Sequence, residues 1–510
     1  MSRILHGGNG SLEQVQEVIH SVQTVALKLP VARALVPPIR LRKFDYMFPG
    51  LQASPANLLP TSQHTLEGLD ALGLAMRESG AAATDPALDS KIPSAYTYLG
   101  QFIDHDITLE LRSDTLADVT APNLAPLALA DIQTKLFDAR TLGLDLDSVY
   151  DAPAPRDDDK MVVGRVSTSG GPVPGVVDPF HDLPRSPRAT DPKTDREALI
   201  GDARNDENLV VAQLHTAFLR AHNAIVDQGH TFTEARRLLR QHYQWIVLHD
   251  FLPRIANPRI VSLVVRQHTA PQRPTSMNFM PLEFAAAAYR FGHSMVRASY
   301  DHNVNFPNAN LGLLFTFTAL SGNFNPAAGI DFDTLPENWI IQWERFLDNG
   351  APPANFARRI DTRLVEPLYE LRDLIGKPLP GLAASLAARN LRRGYMLRLP
   401  TGQAAAHALG LSPLTPAQLH AAATPAQAAV LQKFGFEKAT PLWFYVLAEA
   451  NLQTPNRLGP VGSSIVARVF ANLVRQSADS ILATPGWTPT LGPKPGVFRL
   501  NDLLELANVL

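Results

Sequence analysis

The sequence predicts a mainly α-helical protein. In many segments apolar residues recur at three- and four-residue intervals, whereas short runs that alternate apolar and polar residues are scarce. A chain of 510 residues is long enough for two domains. However, no internal repeat and no long low-complexity linker divides it, and this favours one large helical domain over two.

The composition excludes several kinds of site. The chain has no cysteine, which removes disulfides, thiolate nucleophiles and cysteine-bound metal centres. Its 46 basic and 48 acidic residues give a formal net charge of -2, so nothing indicates a nucleic-acid partner. We predict no transmembrane helix and no secretory signal, since no long apolar run and no apolar N-terminal region occurs. We therefore expect a cytoplasmic protein, or one exported by a non-classical route.

The N-terminal part is predicted to be an extension, residues 1–40, that precedes one domain over residues 41–510. Residues 12–27 carry Val15, Val18, Ile19 and Val22 at helical spacing, which predicts a docking helix. Residues 31–65 are rich in proline and are expected to follow the surface.

Residues 100–110, GQFIDHDITLE, are predicted to lie within a helix over residues 91–112. Residues three and four apart share a helix face, so Gln101, Asp104 and His105 are expected to line one side of a cavity. Phe102, Ile103 and Ile107 would point elsewhere. Buried carboxylates need partners or a metal, so the segment indicates a site, although a solvated polar face is the alternative.

A second candidate segment is TLGLDLDSVY, residues 141–150, in which Asp145 and Asp147 alternate with apolar residues. Carboxylates in a turn-prone stretch offer the oxygen ligands that Ca²⁺ prefers. A polar surface loop would show the same pattern.

A third candidate, GDARNDE, precedes a strong amphipathic helix. Arg204 and Glu207 lie three residues apart in its first turn, so both could face one cavity, or they could form an ion pair within the helix. Thr231 and Glu234 predict a capping box at the start of the next helix.

A fourth candidate is YRFGH, within a helix predicted to begin at Pro281. Gly292 removes a side chain next to His293, so a flat group could lie there; a satisfied core histidine is the alternative. A helix broken near Gly394 and Pro400 is predicted over residues 384–403, and further helices are predicted over residues 416–434, 440–452 and 462–483.

GQFIDHD, LDLDSVY, GDARNDE with HTAFLRAHN, and YRFGH, in this order, resemble the motifs of the animal-type haem peroxidase family, including its bacterial members. The resemblance implies a large single-domain helical fold with central helices around haem and few short strands. It also implies an enzyme that reduces hydrogen peroxide and oxidises small anions (bromide, iodide or thiocyanate) or phenolic donors.

The resemblance assigns a role to each motif. His105 matches the distal imidazole, which moves a proton between the peroxide oxygens. Arg204 matches the distal cation, which stabilises developing negative charge, and Gln101 matches the distal amide that orients peroxide, water or halide. His293 matches the proximal iron ligand. Arg290 matches a residue that pairs with a haem propionate.

The resemblance also implies covalent haem attachment and calcium. Asp104 and Glu207 match the carboxylates that mammalian members esterify to haem methyl groups. Asn208 stands where one member has a methionine linked to haem, which favours substrates other than chloride. The calcium ligands matched are Asp106, Thr141, the Gly143 carbonyl, Asp145 and Asp147. The family usually has Ser or Thr at the last of these positions.

One position departs from the family pattern. An asparagine of the family accepts the Nδ1 proton of the proximal histidine. Its spacing after Arg393-Gly394 places Gln403 there, with a carbonyl one methylene further out. Asn390 is the less favoured substitute.

Three other functions agree with part of the pattern. A fatty-acid dioxygenase of the same superfamily would have a radical-carrying tyrosine three residues before the proximal histidine, but that position is Arg290, and Tyr289 lies one residue earlier. A metal-dependent hydrolase could use Asp104, His105 and Asp106, but it leaves YRFGH unexplained. A non-catalytic haem-binding module would not need His105 and Arg204. The physiological reductant and the oligomeric state are left open.

Overall fold

A computed structural model describes residues 10–11, 41–78, 85–112, 119–169, 171, 173–191, 194–270, 276–315, 318, 332–371 and 378–510. The docking helix predicted over residues 12–27 lies outside these described residues, as does nearly all of the N-terminal extension. No helix in the described part of the chain is long and apolar enough to cross a membrane.

The α-helices dominate the described residues. They are α1 Gln63–Ala75, α2 Ala95–Ile107, α3 Leu129–Lys135, α4 Asp147–Tyr150, α5 Leu209–Asp227, α6 Phe232–Ile246, α7 Leu252–Ile255, α8 Pro258–Thr269, α9 Leu282–Ala285, α10 Leu311–Leu314, α11 Leu386–Met396, α12 Gly402–Ala408, α13 Pro416–Ala422, α14 Pro425–Lys433, α15 Leu442–Asn451, α16 Pro460–Gln476 and α17 Leu500–Leu506. A π-helical turn, Val247–Phe251, joins α6 to α7.

The β-strands of the described residues are short. They are β1 Gly10–Ser11, β2 Arg42–Asp45, β3 Asp89–Pro93, β4 Glu110–Arg112, β5 Leu136–Asp138, β6 Arg156–Asp157, β7 Lys160–Met161, β8 Met280–Pro281, β9 Ser299–Asn303, β10 Phe306–Asn310 and β11 Phe356–Arg358. One sheet has the order β1-β4-β5-β2-β8, and the other strands form pairs. The mainly α fold with few short strands is therefore confirmed.

Helix α2 lies at the centre of the core. Its Phe102 stacks on Phe218 of α5, with ring centroids 4.6 Å apart and planes 1° from parallel. Tyr243 of α6 meets both rings edge-on. Such pairs fix the relative rotation of helices as well as burying apolar area, so α5 is held against the face of α2 next to His105.

The YRFGH segment is not part of the continuous helix that the sequence predicts. Helix α9 ends at Ala285, and a separate 3₁₀ helix runs over Ala288–Met295. The chain leaves the helical region at Ala287, where φ is -140° and ψ is -73°. This turn brings Tyr289 against α2, where its hydroxyl donates a hydrogen bond to the Gly100 carbonyl at 3.1 Å.

Other helices also differ from the predicted ones. The segment 384–403 divides into α11 and the start of α12 near Pro400, where a break is predicted and where Arg398 takes a left-handed φ of 50°, whereas Gly394, the other predicted break, lies inside α11. The segment 416–434 divides where Thr424 caps a new helix that begins at Pro425. Helix α2 covers only the middle of the predicted residues 91–112, since β3 precedes it and β4 follows it.

Candidate functional site

His105 occupies the last turn of α2, and its side chain is completely buried. The helix ends two residues later. The Thr108 amide donates to the Asp104 carbonyl at 2.9 Å, and the Thr108 hydroxyl donates to the same carbonyl and, at 3.2 Å, to Oδ1 of Asp104. These bonds close the carboxyl end of α2 and hold Asp104 and His105 at fixed positions.

Asn205 connects His105 to a second imidazole. Its Oδ1 lies 2.8 Å from Nδ1 of His105, and its Nδ2 lies 2.9 Å from Nδ1 of His215 on α5. The backbone around Asn205 is fixed by two caps. Asp202 accepts from the Arg204 amide at the start of the 3₁₀ helix Ala203–Asp206, and Asn208 accepts from the amide of the third residue of α5.

Arg204 is buried and contacts the backbone of α2. Its Nε and Nη2 bind the carboxylate of Asp202, and Nη2 also donates to the carbonyls of His105, at 3.1 Å, and Thr108, at 2.5 Å. Arg140 binds the same carboxylate and the His105 carbonyl. Although burial acts to raise it, the pKa of Asp202 is held below its usual value by Arg204 and Arg140. Among the described residues nothing accepts a hydrogen bond from Nη1 of Arg204.

Gln101 is held by two neighbours, one at each end of its amide. Its Nε2 donates to Oε1 of Glu207 at 2.7 Å, and its Oε1 accepts from Nδ2 of Asn208 at 3.2 Å. Glu207 therefore meets α2 at Gln101, whereas Arg204 meets α2 at its carboxyl end. The two side chains expected to share a cavity contact different parts of this helix.

Asp104 is half-buried and belongs to a charged cluster. It lies near Arg393 of α11, which forms a buried ion pair with Glu110. Burial lowers the pKa of Arg393 to about 10, and Asp104 acts in the opposite direction. No described residue hydrogen-bonds Oδ2 of Asp104. A half-buried carboxylate oxygen of this kind can contact a bound ligand directly.

His293 is half-buried in the 3₁₀ helix Ala288–Met295. Its Nδ1 lies 2.8 Å from Nδ2 of Asn390 on α11. A Cβ placed on Gly292 would meet no atom within 4 Å, so the backbone beside His293 faces open space. The Arg290 carbonyl accepts from the indole of Trp443 at 3.1 Å. The Arg290 side chain is half-buried, and its Nε donates to the Ala285 carbonyl at 3.0 Å.

The prediction that Gln403 is the partner of His293 is wrong, because Gln403 pairs with Thr440 instead. Its Nε2 donates to the Thr440 hydroxyl at 2.8 Å, and its Oε1 accepts from the Thr440 amide at 3.0 Å. The adjacent Gly402 amide donates to the Thr440 carbonyl, and this contact helps to keep the Gln403 side chain directed toward Thr440. Asn390, the less favoured substitute, is the residue that contacts His293.

The predicted calcium residues gather around Asp106. Its carboxylate accepts from the Leu146 amide at 3.2 Å and from the Ser148 amide at 3.0 Å. The Thr141 amide donates to Asp147 at 2.8 Å. Burial, and next the charge of Asp147, raise the pKa of Asp106 to about 7.

Asp145 completes this oxygen-rich loop. Its Oδ2 lies at 3.4 Å from the Thr141 hydroxyl and close to Gly143, so a side chain at position 143 would require the Asp145 carboxylate to move. Hard oxygen ligands of this kind suit Ca²⁺. Nevertheless, within the part of the chain that the structure describes, no three His, Asp or Glu side chains converge closely enough to hold one metal ion.

The arrangement around His293 and α2 fits a haem group. An imidazole that donates from Nδ1 to a partner can offer Nε2 to iron; Asn390 is that partner for His293, and the backbone at Gly292 faces open space. Asp104 and Glu207 place two half-buried carboxylates on the α2 side. A small cavity of about 10 Å³ lies next to Asn390 and Trp443, which is room for one water molecule.

The sequence motifs pointed to His105, Arg204 and His293 but not to all of their partners. Asn205 and His215 lie inside the motifs GDARNDE and HTAFLRAHN, but the motifs did not indicate a role for either residue. Asp202 lies in the first of these motifs as well. Arg140 precedes the aspartate-rich segment, and nothing in its local sequence indicates the contact with His105.

Comparison with known proteins places the chain in a family. Residues 160–477, more than half of the chain, match the profile of the animal haem peroxidase family. Human eosinophil peroxidase is 28% identical over 307 residues, which cover 55% of this chain and 38% of that protein. Thyroid peroxidase from Canis lupus familiaris is 28% identical over 291 residues, covering 53% and 28%. The chain thus aligns with only about two fifths, or less, of these relatives' length.

Two solved structures have a similar fold. Peroxidase A from Dictyostelium discoideum superimposes with a TM-score of 0.54 at 15% identity, over 89% of this chain and 88% of that one. A fatty acid α-dioxygenase from Arabidopsis thaliana gives a TM-score of 0.56 at 13% identity, over 89% and 74%. The profile match begins after α2 and does not include the motif with His105. The resemblance noted from the motifs is confirmed, and the chain belongs to the animal haem peroxidase family.

Proposed function

We propose that this protein is a haem peroxidase that reduces hydrogen peroxide and oxidises bromide, iodide, thiocyanate or phenols. The family implies haem and supports peroxidase activity in general. The observation that carries the proposal is the pair of imidazoles, His105 and His293, each held through Nδ1 by an asparagine amide. This arrangement gives each ring a defined second nitrogen for chemistry.

His293 would hold the iron through Nε2. When bound there, haem would supply a redox-active iron for the cleavage of peroxide. A histidine bound through Nε2 carries its proton on Nδ1 and needs an acceptor there. The Asn390 amide presents Nδ2, so haem binding requires this amide to turn and present its oxygen. Gln403 cannot take this role, since Thr440 occupies both ends of its amide.

His105 would move the peroxide proton. With Oδ1 of Asn205 accepting from Nδ1, the proton-accepting nitrogen of the ring is Nε2. This nitrogen takes the proton of one peroxide oxygen and returns it to the departing oxygen, which leaves as water. Arg204 would stabilise the charge that develops on that oxygen through Nη1, while its other contacts keep the guanidinium in place.

Gln101 would orient peroxide, water or a halide next to His105. Its amide has a defined direction, because Glu207 accepts from one end and Asn208 donates to the other. Asn208 also takes the place of the methionine that links to haem in one family member, which favours the more easily oxidised anions over chloride. On the opposite side Arg290 would pair with a propionate, and this pairing would stabilise the bound haem.

Asp104 and Glu207 would form esters with haem methyl groups. Each ester would join a carboxyl oxygen to a haem methyl carbon with peroxide as the two-electron oxidant: the methyl group would lose one hydrogen, the carboxyl group its proton, and peroxide would become two water molecules. The half-buried carboxylates suit this reaction. Calcium would bind Asp106, Asp145, Asp147, Thr141 and the Gly143 carbonyl, provided that the carboxylates turn from backbone amides toward the ion.

The protein purified with haem tests the proposal. We expect a Soret band, and peroxide-dependent oxidation of at least one donor among bromide, iodide, thiocyanate and guaiacol. A parallel assay measures oxygen uptake with an unsaturated fatty acid and tests the dioxygenase alternative. Absence of haem, or oxygen uptake with fatty acid in place of donor oxidation, would overturn the proposal.

A further inference from the structure

The side chain of Asn205 lies between two buried imidazoles and contacts both. Its Oδ1 is 2.8 Å from Nδ1 of His105, and its Nδ2 is 2.9 Å from Nδ1 of His215. All three side chains are completely buried. Because water does not reach them, each hydrogen bond that is lost leaves a buried polar group without compensation.

The carboxamide imposes a direction on this chain of groups. An amide oxygen accepts and an amide nitrogen donates, so the two ends of Asn205 are not interchangeable. Oδ1 requires a proton on Nδ1 of His105, and Nδ2 requires a lone pair on Nδ1 of His215. Reversing the amide would force both imidazoles to change tautomer together.

His215 is suited to the role of a neutral acceptor. Burial lowers its pKa to about 3, so the ring carries no charge near neutral pH. Its ring lies edge-on to Phe102, with centroids 6.0 Å apart, and Phe102 stacks on Phe218. These aromatic contacts hold the imidazole that in turn holds the Asn205 amide.

We propose that Asn205 and His215 are positioning residues that keep the proton of His105 on Nδ1, so that Nε2 is the nitrogen that receives a proton from peroxide. The proposal rests on the function proposed above. Neither residue touches peroxide. Asn205 fixes the tautomer of His105, and His215 fixes the orientation of Asn205.

Two substitutions of Asn205 separate this role from simple packing. Asn205→Leu keeps the approximate volume and removes both hydrogen bonds. Asn205→Asp keeps an acceptor for His105, and His215 can follow by moving its own proton to Nδ1. His222→Gln is the matched control, since His222 is also a buried imidazole of α5 but binds Tyr150 and the Asp159 carbonyl.

The measurements are haem content, the rate constant for reaction with peroxide, and the rate constant for cyanide binding to the ferric protein, all at one pH. In cyanide binding the proton of HCN passes to the distal imidazole, so this rate reports on Nε2 of His105 without turnover. We expect Asn205→Leu to retain haem and to lower both rate constants about 10- to 100-fold. Asn205→Asp should restore most of the loss, and His222→Gln should match the wild type.

Equal rates in Asn205→Leu and wild type at equal haem content would overturn the proposal, as would an Asn205→Asp protein as slow as Asn205→Leu. If Asn205→Leu does not fold, His215→Phe tests the same claim, because it removes the group that orients the amide. We expect smaller losses of both rates, and unchanged rates would contradict the role of His215. A wild-type protein without haem or peroxide reaction would refute the proposed function instead.

Discussion

The side-chain amide of Asn390 lies 2.8 Å from Nδ1 of His293. This contact joins α11 to the 3₁₀ helix Ala288–Met295, two elements that are far apart in the sequence. The partner of a ligating histidine determines how basic that ligand is. Asn390 is therefore the residue through which the protein would adjust the reduction potential of a bound haem iron.

Substitutions at Asn390 should change the iron reduction potential. Asn390→Asp gives His293 a stronger acceptor, which makes it a stronger donor to iron and should shift the midpoint potential to more negative values. Asn390→Leu should raise the potential and weaken haem binding about 10- to 100-fold. Spectroelectrochemistry measures the midpoint potential of each variant. Gln403→Asn is the control and should leave the potential unchanged; a shift with Gln403→Asn but not with Asn390→Asp would contradict the assignment.

Covalent attachment is tested by Glu207→Gln and Asp104→Asn. Each variant keeps the shape of the side chain but removes the nucleophilic carboxylate. A glutamine at position 207 can still bind Gln101, so the geometry of α2 is retained. We expect acidified acetone to extract more haem from each variant than from wild type after peroxide treatment. Equal extraction from all three proteins would remove the ester proposal.

Calcium should stabilise the protein through the loop around Asp106. Saturation at about 100 times the dissociation constant adds about 2.7 kcal/mol to the free energy of unfolding. We expect the melting temperature to rise with Ca²⁺ and to fall with EGTA. Asp106→Asn should abolish this response, whereas Asp157→Asn, at an exposed position, should retain it. A response that survives Asp106→Asn would place the ion elsewhere.

Glu283 should make the folded protein less stable as the pH rises. Its buried carboxylate accepts from the Met47 amide at 2.7 Å and the Phe48 amide at 3.3 Å. Burial raises its pKa from 4.5 to about 7. Between these values the unfolded chain loses the proton while the folded protein keeps it, so the free energy of unfolding falls by about 3 kcal/mol as the pH rises.

Denaturant unfolding between pH 4.5 and 7.5 measures this effect. Glu283→Gln has no proton to lose, so its unfolding free energy should depend less steeply on pH than that of wild type. The comparison uses the slope, because glutamine accepts only one of the two amides and its absolute stability is lower. Glu67→Gln, at an exposed position, is the control. Identical slopes in wild type and Glu283→Gln would contradict the raised pKa.

The sequence predicted the helical class and the motif residues, since both depend on local spacing. Helix α2 with Gln101 and His105, and the histidine after Gly292, follow from short segments. Contacts between distant segments were not predicted. Spacing along the chain favoured Gln403, but a left-handed residue at Arg398 and the pairing with Thr440 direct its side chain elsewhere.

The orientation of the Arg204 side chain could also not be predicted from local sequence patterns. Three-residue spacing suggested that it shares a face with Glu207. In the structure, Asp202 and the carbonyls of α2 hold its guanidinium at the end of that helix. The carbonyl acceptors come from backbone geometry, which the identities of neighbouring residues do not specify.

The reaction of ferric haem protein with hydrogen peroxide, followed by stopped-flow absorbance in wild type and His105→Ala, tests the central claim most directly. If His105 moves the peroxide proton, the variant should keep its Soret band and react about 100- to 10,000-fold more slowly. A variant that keeps its haem and reacts as fast as wild type would contradict the account.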